Sequence, residues 1–289
     1  MANNGINAPG FWFFNVDLSI IFIKKSLDMG KKKGLALSGG GSRAVAHLGA
    51  LKAFKEAGIQ FDMFSGTSAG SMVAVLAANE VDPETILEEI KSLSIFHLVN
   101  FSYSLSGLSS LKKIEKLLKK LLTCEQFEDL KYPVRIVATN LNTGKVRVFK
   151  KGNIVDAVIA SSSIPILFPP KKIDGRYFVD GGILMNLPVE PLKEDCDYVA
   201  AINITPVVEK NEDDYDKIAA IGFRTFELSV MANVRNSRSE CDLFIEPGDL
   251  SNYGIFSFNK MDKMFEIGYE EGKKYTNKIK ERKGAEANS

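Results

Sequence analysis

Residues 34–79, GLALSGGGSRAVAHLGALKAFKEAGIQFDMFSGTSAGSMVAVLAAN, contain two successive strand-then-helix units, and this stretch decides the fold. The apolar run Gly34–Ser38 ends in three glycines, which is typical of a strand followed by a loop. Arg43–Ala57 has apolar residues at helical spacing, Ile59–Phe64 resembles a second strand, and Ala69–Asn79 predicts a helix of small residues. Strands joined by helices at this spacing predict a parallel sheet covered on both faces.

The rest of the chain extends this pattern and shows no internal repeat, low-complexity segment or linker. We therefore predict one α/β domain over residues 29–289, with a three-layer α/β/α arrangement around a mainly parallel sheet. Further strands are predicted at Val134–Thr139, Val146–Phe149, Tyr177–Val179, Tyr198–Ile204 and Leu243–Glu246, with a closing helix at about Lys260–Lys280.

The N-terminal segment, residues 1–28, is predicted to lie outside this domain. Its apolar run Phe11–Ile23 is shorter than the roughly 20 residues that span a bilayer, and it contains Asn15 and Asp17. It also lacks the basic residues and cleavage site of a signal peptide. Three roles stay open for it: an extra strand or helix packed on the domain, an interfacial anchor, or a leader.

Composition excludes several classes of function. The 289 residues carry a formal net charge of +1, so no overall positive charge favours a nucleic-acid partner. The chain has only two histidines, His47 and His97, which excludes histidine-rich metal sites. Its cysteines (Cys124, Cys196 and Cys241) are odd in number and far apart, so we expect neither a disulfide framework nor a zinc site, and a cytoplasmic location.

The first segment that can carry chemistry is the glycine-rich loop Gly39-Gly40-Gly41-Ser42-Arg43-Ala44. Glycines let backbone N–H groups point outward beside a helix N-terminus, where they bind an anion. The loop also fits a loose dinucleotide-binding pattern, with Asp62 about 20 residues further on as the ribose partner. A purely structural glycine turn is the third possibility.

The second segment is Gly66-Thr67-Ser68-Ala69-Gly70, a G-x-S-x-G sequence between a predicted strand and a predicted helix. A strained strand-to-helix turn of this kind lifts a serine above the sheet, and the flanking glycines let the two elements approach closely. The alternative is a glycine-assisted turn in which Ser68 only caps the helix.

The third segment is Val179-Asp180-Gly181-Gly182. Asp180 ends a predicted strand and enters a glycine loop, where catalytic side chains of α/β folds lie. The nearby pair Asp174-Gly175 differs, because strand-like runs flank it on both sides and predict an ordinary hairpin turn.

Histidine is poorly placed to serve as the base that Ser68 would need. A serine hydroxyl is a weak nucleophile until a neighbouring base takes its proton. In the α/β-hydrolase fold the histidine follows the acid along the chain, whereas His97 precedes Asp180. Both histidines are predicted to be packing residues. The sequence therefore favours direct activation by a carboxylate, in a Ser68–Asp180 dyad.

These three segments, in this order, resemble the patatin-like phospholipase family of lipid acyl hydrolases. The likeness runs from about Met29 to the C-terminus and includes residues 160–165, 168–170 and 181–188. The compact spacing is similar to that of bacterial-type members.

The resemblance implies Ser68 as nucleophile and Asp180 as its base, with no metal or organic cofactor. Ala44 stands where the family often has another glycine, which leaves the role of that residue open. The resemblance also implies an oxyanion loop formed by Gly39, Gly40, Gly41 and Arg43.

The expected function is hydrolysis of carboxylic esters of lipids through an acyl-enzyme, as by a phospholipase A, a lysophospholipase or an esterase. We expect Asp180 to be ionised at neutral pH, as an aspartate is in water, and Arg43 to brace the loop or support the oxyanion. Two alternatives stay open: a nucleotide-binding oxidoreductase that uses Asp62, and a catalytically silent lipid- or partner-binding module on the same fold. The sequence specifies neither the head group nor the oligomeric state.

A basic amphipathic helix is predicted around residues 108–122. Such a helix either contacts an anionic membrane surface peripherally or packs its leucines on the core. The preceding segment Phe96–Ser110, rich in serine and aromatic residues, is predicted to form a lid. The apolar face comprises Leu108, Leu111, Ile114, Leu117, Leu118, Leu121 and Leu122, and the basic face comprises Lys112, Lys113, Lys116, Lys119 and Lys120.

Overall fold

A computed structural model describes residues 31–92, 106–206 and 217–287. Within these ranges the chain forms an eight-stranded sheet with helices on both faces. The strands are β1 Lys33–Leu37, β2 Met63–Thr67, β3 Val134–Asn140, β4 Lys145–Phe149, β5 Lys171–Ile173, β6 Arg176–Asp180, β7 Tyr198–Ile202 and β8 Leu243–Ile245. The helices are α1 Val45–Glu56, α2 Ala69–Ala78, α3 Pro83–Ser92, α4 Ser106–Leu121, α5 Ile154–Ser161, α6 Glu190–Lys193, α7 Ile218–Glu240 and α8 Met261–Ala287.

The sheet is mainly parallel, which confirms the predicted fold class. Its hydrogen-bonded order is β5-β6-β3-β2-β1-β7-β8, and β4 also pairs with β3. The pairs β1–β2, β1–β7, β2–β3 and β7–β8 are parallel, whereas β4 and β6 run antiparallel to β3. The hairpin predicted at Asp174-Gly175 joins β5 to β6, and both turn residues have positive φ.

Alternation along the central strands divides the core between the two faces of the sheet. Leu35 and Leu37 of β1 are fully buried in the larger cluster, which includes side chains of α1–α5 and α8. Ala36, between them, belongs to the smaller cluster with Leu192 of α6 and Val234 of α7. Full burial of a leucine side chain stabilises the fold by about 1.5–3 kcal/mol, so β1 is an anchor for both layers.

Helix α4 shows one of the two roles that its sequence left open, packing on the core. Leu117 and Leu118 are fully buried in the larger cluster, Leu111 is nearly so, and most of the intervening lysines are exposed. The leucines therefore pack on the core. Residues 1–28, His97 and the first ten residues of the predicted lid lie outside the described residues, and the last five lid residues belong to α4. Among the described helices, none is long and apolar enough to cross a membrane.

The second strand differs most from its prediction. It begins at Met63 rather than Ile59. Just before it, Asp62 joins the starts of β1 and β2: the Lys33 N–H donates to the Asp62 carboxylate at 2.7 Å, and the Asp62 N–H donates to the Lys33 carbonyl at 2.8 Å. The strand then continues to Thr67, one residue before Ser68.

Candidate active site

The ends of β2 and β6 meet on one side of β3. Thr67 of β2 pairs with Val137, and Asp180 of β6 pairs with the next residue, Ala138. At both positions β4 also pairs with β3. Because a strand can pair with only one neighbour on each of its two edges, β2 and β6 must both lie on the edge of β3 opposite to β4. The register of β3 therefore brings Asp180 beside Ser68, which directly follows Thr67.

Ser68 occupies a tight elbow between β2 and α2. Its backbone has φ 53° and ψ −129°, a conformation that costs a non-glycine residue about 1–3 kcal/mol. A Cβ at Gly66 would lie 2.5 Å from the Gly70 carbonyl oxygen, and a Cβ at Gly70 would lie 2.4 Å from the Ser38 carbonyl oxygen, so both positions require glycine. The Ser68 side chain makes no capping hydrogen bond to α2, which removes the alternative of a helix cap.

Asp180 is buried where β6 ends, with 1% of its surface exposed. Its Oδ1 accepts a hydrogen bond from the Gly182 N–H at 2.7 Å, while its buried Oδ2 has no partner among the described residues. Burial raises the pKa of Asp180 to about 7, although the neighbouring Ser68 hydroxyl and the Gly182 N–H act to lower it. Desolvation therefore makes Asp180 less readily ionised at neutral pH than an aspartate in water.

The glycine-rich loop lies directly beside Ser68, since a Cβ at Gly39 would be 3.0 Å from the Ser68 Cβ. No described residue accepts a hydrogen bond from the N–H of Gly40 or Gly41, whereas the Gly39 N–H donates to the Asn186 carbonyl at 3.3 Å. Gly41 has φ 59°, and a Cβ there would lie 2.3 Å from the Ile255 carbonyl oxygen. The N–H groups of Gly40 and Gly41 are therefore unused backbone donors close to Ser68, and Gly39 contributes close packing.

Arg43 connects the glycine-rich loop to the segment 251–257. Its Nε donates to the Tyr253 carbonyl at 2.6 Å, and the Ser42 N–H donates to the Ile255 carbonyl at 2.8 Å. Burial lowers the pKa of Arg43, and the nearby Glu227 carboxylate opposes this shift. These contacts fit the expected bracing role of Arg43.

A cavity of about 430 Å³ opens above Ser68 and Asp180. Rings line one wall, with centroid separations of 6.0 Å for Phe223–Phe226 and 6.2 Å for Phe223–Phe256. The sequence did not predict this wall, because neither α7 nor the segment 251–257 contains a recognisable motif. The rings of this wall come more than 150 residues after Ser68 in the chain. Other lining residues are Gly40, Gly41, Arg43, Ile164, Asn186, Thr205, Pro206, Arg224, Glu227, Val230, Met231, Ser251, Asn252, Tyr253, Gly254, Ile255 and Ser257.

The remaining candidates lie away from this cavity. His47 is fully buried, burial lowers its pKa to about 4, and its neutral Nε2–H donates to the Ser38 carbonyl at 2.9 Å, so it is the packing histidine that we predicted. Asp62 precedes β2 and contacts the start of β1, a strand length of about 16 Å from the glycine-rich loop. The dinucleotide interpretation is therefore wrong. No group of His, Cys, Asp and Glu side chains in the described ranges could hold a metal ion.

Comparison with known proteins agrees with the fold and with these segments. The chain is 25% identical over 283 residues to "Lysophospholipase nte1" of Aspergillus fumigatus and 26% identical over 283 residues to that of Emericella nidulans. Each match covers 87% of this chain but only 18% of the relative, so the chain spans less than a fifth of these proteins.

Among solved structures, the crystal structure of VipD from Legionella pneumophila has the same fold, with a TM-score of 0.51 and 17% identity over 86% of this chain and 67% of that one. The family model described as "Patatin-like phospholipase" matches residues 35–193, which include the glycine-rich loop, the Ser68 elbow and Asp180. The chain belongs to the patatin-like phospholipase family.

Proposed function

We propose that the chain is a serine lipid acyl hydrolase that cleaves carboxylic esters through a Ser68–Asp180 dyad and an acyl-enzyme. The observation that carries the proposal is the buried neighbour pair Ser68 and Asp180 at the floor of a cavity with an aromatic wall. Family membership and relatives named lysophospholipases support a lipid ester as substrate. Phospholipase A, lysophospholipase and esterase activities all share this chemistry.

Acylation begins when ionised Asp180 takes the proton of the Ser68 hydroxyl, and the serine oxygen attacks the ester carbonyl carbon. The carbonyl π bond opens, and the resulting oxyanion accepts hydrogen bonds from the Gly40 and Gly41 N–H groups. Each such donor lowers the barrier by about 3 kcal/mol. The C–O bond to the alcohol then breaks, and Asp180 returns its proton to the leaving oxygen, which leaves an acyl-enzyme on Ser68.

Deacylation reverses the roles with water as nucleophile. Asp180, ionised again, takes a proton from a water molecule whose oxygen attacks the acyl carbonyl, and the proton passes to the Ser68 oxygen as the fatty acid leaves. A base with a pKa of about 7 suits both steps, because it is partly ionised at neutral pH and holds a proton well. The Asp180 Oδ2 has no hydrogen-bond partner among the described residues. This fits an enzyme without substrate, in which the hydrogen bond between nucleophile and base is often long.

The shape and lining of the cavity favour binding of the acyl chain of the ester next to Ser68. Its aromatic wall from α7 offers an apolar surface, and its volume of about 430 Å³ lies within the usual range for ligand pockets. A long-chain ester would therefore gain binding energy there that a short-chain ester does not.

A fluorophosphonate probe tests this proposal, because it reacts covalently with an activated serine. We expect the wild type to be labelled at Ser68 and to hydrolyse a lysophospholipid, with both activities lost in Ser68→Ala and Asp180→Asn. Ser239→Ala, which changes an exposed serine, is the matched control that keeps both. A folded wild type that is neither labelled nor active would instead identify a catalytically silent lipid- or partner-binding module.

A further inference from the structure

We propose that Ser161, at the C-terminal end of α5, is a positioning residue that holds Ser68 against Asp180; the inference rests on the proposed function. Ser161 is fully buried. Its Oγ accepts a hydrogen bond from the Ser68 N–H at 2.8 Å and donates one to the Val137 carbonyl at 2.6 Å. One hydroxyl thus connects the elbow to β3.

The second bond of Ser161 reaches the part of β3 that determines where Asp180 lies. Val137 is the residue before Ala138, and Ala138 pairs with Asp180. The Asp180 N–H in turn donates to the Ser163 carbonyl at 2.9 Å, two residues after Ser161. The Ser68 N–H therefore bonds to the side chain of Ser161, whereas the Asp180 N–H bonds to the main chain of Ser163 and does not use the Ser163 hydroxyl.

The elbow needs such a contact because its conformation is unfavourable by itself. Ser68 is a non-glycine residue at φ 53°, and positions of this kind persist only where the surroundings hold them. Without the Ser161 hydroxyl, the Ser68 N–H would be a buried donor with no partner, and the elbow would relax toward a different φ. A relaxation of about 1 Å at a nucleophile costs on the order of a hundredfold in rate, while the substrate pocket stays intact.

Ser163 offers a control matched in burial and bonding. It is also fully buried, and its hydroxyl donates to the Ile159 carbonyl of α5 at 2.8 Å. Ser163→Ala therefore removes one buried hydroxyl-to-backbone hydrogen bond from the same helix end, but it keeps the carbonyl that binds Asp180. A loss of general stability would affect both alanine variants, whereas a loss of positioning would affect only Ser161→Ala.

The experiment measures kcat and KM for a soluble ester and the rate constant of fluorophosphonate labelling, with thermal unfolding as the check on folding. We expect Ser161→Ala to lower kcat and the labelling rate by about 10- to 100-fold with KM within about twofold of the wild type. Ser163→Ala should keep rates within about threefold. Equal rates in Ser161→Ala and the wild type, or an equal loss in Ser163→Ala, would overturn the positioning role.

A second variant keeps the test decisive if Ser161→Ala does not fold. Ser161→Cys keeps the shape of the side chain, but sulfur is a weak acceptor, so we expect a folded protein with the same selective fall in kcat. A wild-type kcat in that variant also contradicts the proposal. Failure of the wild type itself to be labelled would refute the proposed function, which is a distinct result from equal labelling of all variants.

Discussion

The floor and the wall of the cavity are built in different ways. The floor is formed by the buried residues Ser68 and Asp180 and by the glycine-rich loop, in which Gly40 and Gly41 are half-buried. It is held by hydrogen bonds from backbone N–H groups and by close glycine contacts. The wall formed by α7 is held by side chains, and the opposite side of that helix has Ile218 90% and Leu228 49% exposed. A region held by backbone contacts tolerates few substitutions. In a region lined by side chains, substitutions can instead change which substrate fits. We therefore expect mutations in the floor to change stability and the reactivity of Ser68, and mutations in the wall to change substrate binding.

The largest effect should come from Gly70→Ala in the floor. Its Cβ would lie 2.4 Å from the Ser38 carbonyl oxygen, so the elbow or β1 must move. Overpacking of this kind costs about 3 kcal/mol of unfolding free energy or more, and we expect labelling of Ser68 to be lost. Urea unfolding and probe labelling measure both effects. Gly248→Ala, at a position with open space around it, is the control, and a labelled, stable Gly70→Ala protein would contradict the prediction.

The next effect concerns stability at the floor. The pKa of Asp180 is raised from 3.8 to about 7 on folding, so its stabilising contribution is complete below about pH 3.8 and is lost as the pH rises through about 7. Asp180→Asn has no charge to bury. We expect its free energy of unfolding to exceed that of the wild type at pH 8, with the gain disappearing near pH 4.

Urea titrations at several pH values measure this difference. The same variant should be inactive, so a gain in stability would accompany a loss of function. A stability difference between the two proteins that does not change with pH would contradict the raised pKa of Asp180.

A smaller effect should appear in the pH profile of the wild type. The base must be ionised, so kcat/KM for a soluble ester should fall about tenfold per pH unit below an apparent pKa of about 7. Initial rates between pH 5 and 9 measure this profile. A plateau that extends down to pH 5 would contradict the raised pKa of Asp180.

The smallest effect should come from the wall. Phe226→Ala removes a ring from the cavity, and we expect KM for a long-chain ester to rise about tenfold with little change for an acetate ester, because only the long chain reaches that ring. Leu228→Ala, on the exposed side of the same helix, is the matched control. An equal change in KM for both esters would show that the Phe226 ring affects the residues around Ser68 rather than the binding of the acyl chain.

The same contrast explains how much the sequence could predict. The parallel sheet, the elbow at Ser68 and the loop at Gly39–Gly41 follow from local patterns, because glycine spacing and apolar alternation are properties of adjacent residues. The pKa of Asp180 did not follow, because it depends on burial produced by distant elements. The partners of Ser161 did not follow either, since its hydroxyl bonds residues 93 and 24 positions away.

The shared register on β3 means that the proposed dyad joins two parts of the chain that are far apart in sequence. Ser68 and Asp180 are separated by more than 100 residues, yet the β3 residues that their strands pair with bring them side by side. A change of length in the β3–β4 turn or at Asp174-Gly175 leaves that pairing intact, whereas a one-residue shift of β6 turns Asp180 to the other face of the sheet.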